Sequence, residues 1–147
     1  MRVALGCDHR GLKTKQAVMQ LLQELNHAYQ DFGCYSTDSV DYPDIAQKVA
    51  SAVASGNFDH GILVCSTGIG MSIAANKIKG IRAALCHDVF TAERARQHND
   101  ANILCLGAEE MSADLISKIV KSYLATNFEG GRHIRRLNKI KILETNS

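Results

Sequence analysis

Residues 60 to 77 read H-G-I-L-V-C-S-T-G-I-G-M-S-I-A-A-N-K. The part ending at Cys65 is an apolar run of strand length, and the part from Ile69 onward has the spacing of a short helix. Between them stand Ser66, Thr67 and Gly68, small residues that suit a tight strand exit. A strand feeding a helix in this way is one βα unit. Its loop is open to three readings: inert core, a cradle for phosphate, or a reactive thiolate.

The unit recurs along the chain. Strand-length apolar runs lie at 2–7, 28–32, 61–65, 81–86 and 102–106, and helical periodicity lies at 11–25, 43–55, 69–78, 88–98, 110–125 and 132–143. Pro43 at a helix start, Ser112 before an amphipathic run, and Gly33, Gly56 and Gly80 after elements agree with these boundaries. Strands that are apolar throughout are covered on both faces, and β-α alternation implies right-handed parallel crossovers. The expected fold is a three-layer α/β/α Rossmann-like domain with a five-stranded parallel sheet in the flavodoxin-like order 2-1-3-4-5. Ligands of such sheets bind where strand order reverses, here between strands 1 and 3. That brings Asp8 and His9 of G-C-D-H beside Cys65.

A chain of 147 residues fits one domain, spanning 1–147. Its net charge of +2 gives no support to a nucleic-acid-coating role. The N-terminal M-R-V-A-L-G-C-D-H meets charge too early for a signal peptide or membrane span, so the protein is expected in the cytoplasm, without a membrane partner. Five cysteines, an odd number, do not make a disulfide framework. Cys7, Cys86 and Cys105 end strands and read as small buried hydrophobes. A zinc site from Cys7, His9, Cys65, Cys86 and His87 matches no usual ligand spacing, so no metal and no cofactor is expected.

The loop at 65–70 opens a helix whose first N–H groups lack partners and whose dipole favours negative charge, so an anion is expected there. The same field stabilises a thiolate. Phosphoryl transfer to such a cysteine takes an arginine six residues on, and position 71 is Met71. A dinucleotide loop takes a third glycine where Ile73 stands. Proton abstraction next to a carbonyl needs a base and donors for the oxyanion, and one loop supplies both. Thr67 either bonds a sugar hydroxyl or caps the helix.

Arg132 and Arg136 are four apart and project from one helix face, spaced to grip a phosphate. His98 and Asn99 precede strand 5. These four residues follow helices that return from the carboxyl edge, so His98 lies at the edge opposite its own Cys65. The simplest geometry in which they serve the site is an isologous dimer with two composite sites, the helix at 132–143 packing on the partner.

Six ordered motifs then carry a resemblance: G-C-D-H-R-G, D-Y-P-D at 41–44, C-S-T-G-I-G-M-S-I-A-A-N-K, G-I-R-A-A at 80–84, R-Q-H-N-D-A-N at 96–102 and E-G-G-R-H-I-R-R at 129–136. Together they resemble type B ribose-5-phosphate isomerase, from residue 2 to about 140. The resemblance implies metal-independent interconversion of ribose 5-phosphate and ribulose 5-phosphate, a step of the non-oxidative pentose phosphate branch. It also implies a homodimer or dimer of dimers. It makes Cys65 the base that shuttles the proton between C2 and C1, and His98 the residue that opens the sugar ring. Asp8 relays protons among the sugar oxygens. Ser66, Thr67, Gly68, Ile69, Gly70 and Asn99 hold the enediolate; His9, Arg132 and Arg136 contact the sugar or its phosphate, and Tyr42 lines the pocket. Members with serine at the cysteine position use a glutamate on the next helix, and M-S-I-A-A-N offers no carboxylate. Two alternatives stay open: a six-carbon substrate such as allose 6-phosphate or galactose 6-phosphate, and a non-catalytic nucleotide- or phosphate-binding module.

Overall fold

A computed structural model describes residues 1–146. Five parallel strands, β1 (Arg2–Cys7), β2 (Ala28–Asp31), β3 (His60–Cys65), β4 (Ala83–Leu85) and β5 (Ile103–Gly107), form one sheet. Six helices accompany them: α1 (Leu12–Glu24), α2 (Tyr42–Ala54), α3 (Ile69–Ala75), α4 (Val89–Gln97), α5 (Ala113–Ala125) and α6 (Arg132–Thr145). Side chains of α1, α4 and α5 pack on one face of the sheet. Those of α2 and α3 pack on the other. The three-layer expectation is thereby met.

The strand order is β2-β1-β3-β5-β4, so β4 and β5 exchange places relative to the expected 2-1-3-4-5. The reason lies in the strands. All five β5 residues are buried, whereas the three of β4 are only half-buried, and a short, partly exposed strand belongs at an edge. β4 is also shorter than the run 81–86 suggests. The Arg82 N–H turns to Asn102 Oδ1 (2.8 Å) and its guanidinium grips the Asp100 carbonyl (2.8 Å), which takes that residue out of the ladder. At the other side of the sheet the order is as expected, with β1 flanked by β2 and β3 and the reversal between β1 and β3.

Local chemistry sets the helix ends that matter for the site. Pro43 sits in the first turn of α2 behind Asp41, which puts Tyr42 at the helix start. Asn76 ends α3 by pairing its side-chain amide with both the N–H (2.8 Å) and C=O (2.9 Å) of Ala83. Asp88 and Thr91 form a reciprocal capping box on α4, and Ser112 caps α5 by accepting the Leu115 N–H at 3.2 Å. α5 therefore begins at Ala113, and the segment from Glu109 to Met111 stays outside the helix. Buried side chains on α6 are limited to His133, while Ile134, Ile140, Ile142 and Leu143 are exposed. Among the described residues no helix is long and apolar enough to cross a membrane.

Candidate active site

At the carboxyl edge, Cys7 pairs in register with Val64, so the exits of β1 and β3 lie side by side. Asp8 is buried, its N–H bonded to Val64 O (3.1 Å). One carboxylate oxygen, Oδ1, accepts the N–H groups of Arg10 (3.0 Å) and Gly11 (3.2 Å), which folds the β1 exit into a turn. Gly11 has no room for a side chain, since a Cβ would stand 2.7 Å from Val64 O. His9 accepts the Val40 N–H at Nδ1 (3.3 Å). The neutral ring then carries its proton on Nε2 and presents a donor.

Cys65 ends β3 with 5% of its surface exposed, and its Sγ accepts the Gly68 N–H at 3.1 Å. That contact requires Gly68 at φ +79°, a left-handed backbone open to glycine, in a place where a Cβ would stand 3.0 Å from the Leu106 carbonyl carbon. Thr67 Oγ1 accepts the Ile69 N–H (3.2 Å), a local cap that leaves the hydroxyl proton available. The N–H groups of Gly70 and Met71 fall in the first turn of α3, where no intrahelical acceptor exists. Tyr42 lies over this turn, so close that a Cβ on Gly70 would meet its ring at 2.6 Å. The loop thus gathers a thiol, a hydroxyl and open N–H donors around one point at the switch of the sheet.

Ser66 departs from its expected part. Its hydroxyl donates to Glu109 Oε2 at 2.6 Å, so only its main chain is left to serve an oxyanion. The other Glu109 oxygen binds Arg10 Nη1 at 2.7 Å. Ser66 and then Arg10 hold the Glu109 carboxyl below its usual range, and Glu109 in turn holds the Arg10 guanidinium in its charged form. The sequence reading missed both residues. Among the other thiols, burial pushes Cys7 up to about 12 and Cys86 up to about 11, and raises Cys105 further.

His98, Asn99, Arg132 and Arg136 are not brought to Cys65 within the chain. His98 closes α4, and β5 separates that end of the sheet from the Cys65 edge, five residues or about 17 Å. They are, however, brought to one another. The His98 ring stacks on His133 of α6, centroids 4.2 Å apart and planes 17° apart, and the Glu129 N–H bonds Gln97 O (3.1 Å). Glu129 Oε2 stands 3.5 Å from His133 Nε2. Burial and then His98 keep His133 below its ordinary basicity. Arg132 and Arg136 project from the first turns of this helix, exposed. A cleft of about 660 Å³ opens beside Asn99, between α6 and the segment from Asn76 to Ala84. Within E-G-G-R-H-I-R-R nothing local sets His133 apart from its arginine neighbours; its part is seen only once α6 meets the end of α4.

Fold and loop together define a class: an α/β/α protein with a thiol and a glycine-containing strand-to-helix turn at the switch point of a parallel sheet. The chain belongs to the ribose/galactose isomerase family, whose sequence profile matches residues 3–140. It is 43% identical over 143 residues to ribose-5-phosphate isomerase B of Escherichia coli, covering 97% of this chain and 96% of that protein. It is 47% identical over 132 residues to ribose-5-P isomerase B of Listeria innocua, covering 90% and 89%. The solved structure of ribose-5-phosphate isomerase B of Clostridium thermocellum superposes with a TM-score of 0.98 at 46% identity, covering 99% of both chains.

Proposed function

We propose that this protein interconverts ribose 5-phosphate and ribulose 5-phosphate through an enediolate. The observation that carries the reading is the Cys65 thiol receiving the Gly68 N–H at the mouth of the turn that opens α3. The relatives named above as ribose-5-phosphate isomerases support the substrate. The closed sugar has no carbonyl, so a first step opens the furanose: His98 assists transfer of the anomeric hydroxyl proton to O4 as the C1–O4 bond breaks. The Cys65 thiolate then takes the C2 proton, and the charge that develops on O1 is met by the N–H groups of the 66–70 turn. Asp8 passes a proton between O2 and O1. The thiol returns its proton to C1, leaving a ketone at C2. Donors placed in advance for the oxyanion are each worth about 3–4 kcal/mol in a dry site.

In this reading His98, Asn99, Arg132 and Arg136 come from a second subunit, while His9, Thr67 and Tyr42 belong to the subunit that gives Cys65. The edge-to-edge separation of Cys65 from His98 and the exposed isoleucines of α6 support a homodimer that covers them. The enzyme would act in the cytoplasm, in the non-oxidative pentose phosphate branch.

Incubation with ribose 5-phosphate in heavy water tests the chemistry. Ketose and deuterium at the exchanging carbon are expected; a folded protein that gives neither refutes it. Mixing Cys65→Ala with His98→Ala subunits tests the shared site. Each variant alone is expected to be inactive, and re-associated mixtures to regain about a quarter of the parent activity, since half the dimers then carry one intact site. A mixture that stays inactive refutes the composite arrangement.

A further inference from the structure

The carboxylate of Glu109 is engaged on both oxygens, by Arg10 at 2.7 Å and by the Ser66 hydroxyl at 2.6 Å. Its main chain is engaged too: the Glu109 N–H donates to Ser66 O (3.1 Å), directly after the Ala108 N–H donates to Cys65 O (2.9 Å). Ser66 is therefore held at side chain and main chain by one residue. Arg10, on the other oxygen, donates its own N–H to Asp8 Oδ1. Glu109 thus ties together the exits of β1, β3 and β5, the three segments that converge at Cys65. Behind it the fit is close, for a Cβ on Gly107 would stand 2.8 Å from Thr67 O.

The chemistry explains why a carboxylate suits this place. A hydroxyl beside a thiolate would turn to donate to the sulfur or to the oxyanion, and would take a different rotamer at each stage of the reaction. A carboxylate accepts that proton in a short charge-assisted bond and fixes the rotamer. The peptide groups on either side of Ser66 are fixed with it. Arg10 contributes less, since an exposed ion pair is weak and both partners are about half exposed.

We propose that Glu109 is a positioning residue of the isomerisation, holding Ser66 so that the turn from Cys65 to Gly70 keeps one geometry while charge develops on the substrate. The proposal rests on the isomerase reading above. Its test is steady-state kinetics on Glu109→Ala, Glu109→Gln, Ser66→Ala and the Glu109→Ala/Ser66→Ala double variant, with folding checked by circular dichroism. Glu109→Ala and Ser66→Ala are each expected to lower kcat about tenfold with KM within about twofold, as slight misplacement of reacting groups does. The double variant is expected to be no slower than the slower single one. Glu109→Gln keeps an acceptor for Ser66 and is expected to recover most of kcat. A kcat within twofold of the parent in Glu109→Ala, a loss confined to KM, or losses that multiply in the double variant would each overturn the proposal. If Glu109→Ala does not fold, Ser66→Ala with full kcat overturns it alone. A parent protein with neither turnover nor exchange removes the isomerase reading and this proposal with it, whereas an active parent with an indifferent Glu109→Ala removes only this proposal.

Discussion

The Gly68 N–H points at the Cys65 sulfur from 3.1 Å, across a turn that only a left-handed residue at position 68 can make. The same N–H would bond a thiolate more strongly than a thiol, and the isomerase reading makes Cys65 the base. Cys65→Ser is therefore expected to lower isomerisation by at least about a thousandfold, within the range set by loss of a positioned base, and to abolish deuterium uptake in step with it. The melting temperature should move little, since the replacement is nearly isosteric. Exchange that persists after turnover is lost would assign the base elsewhere.

Gly70 and Tyr42 are fitted to each other without slack. A methyl group at position 70 would meet two ring atoms of Tyr42 at 2.6 Å, and a clash of that size must move the ring. Gly70→Ala is expected to reduce kcat/KM about tenfold or more, with the pocket wall displaced rather than the fold lost. In a Tyr42→Ala background, where that ring is already gone, Gly70→Ala should cost much less than it does in the parent. A full further loss there would show that the methyl does not act through the ring.

His133 is the floor on which the His98 ring rests, 4.2 Å below it and nearly parallel. If His98 serves ring opening, loosening it should matter only for substrates that close into rings. His133→Ala is expected to slow ribose 5-phosphate about tenfold, as slight misplacement of a reacting group does. A four-carbon aldose phosphate, too short to form the furanose through its remaining hydroxyl, should be turned over at the parent rate. His133→Phe, which keeps a flat ring, should recover much of the loss. Equal losses on both substrates would mean that His133 supports the helix and not the chemistry.

What the sequence disclosed follows from where the information sits. β1 and β3 are apolar runs bounded by turn residues, and a parallel sheet that reverses between them puts Asp8, His9 and Cys65 together by topology alone. The order of β4 and β5 is decided by the lengths to which they are actually paired, and Arg82 shortens β4 through contacts with Asn102 and Asp100 that no periodicity reveals. Glu109 escaped for the same reason. Its partner Ser66 is 43 residues away, and next to Glu110 it looks like one more acidic residue before a helix. The edge-to-edge distance of His98 from Cys65 was legible because it depends only on strand length and direction.

Away from the site, His60 offers a stability switch whose sign is fixed by its surroundings. The Tyr123 hydroxyl donates to Ala101 O at 2.7 Å, so its lone pair faces His60 Nδ1 at 3.2 Å and accepts a hydrogen bond from it. Burial, and then the nearby Arg96 guanidinium, lower the His60 pKa from 6.5 to about 4. The folded protein thus keeps the ring neutral where the unfolded chain would protonate it. Stability from this group is complete above about pH 6.5 and is lost as the pH falls from there to about 4, by about 1–2 kcal/mol once solvent screening is allowed for. Urea midpoints measured from pH 7 to pH 4.5 should therefore decline in the parent. They should decline less steeply in His60→Gln, which keeps a donor for Tyr123 and has nothing to titrate; parallel slopes would show that His60 is not the group that gains the proton.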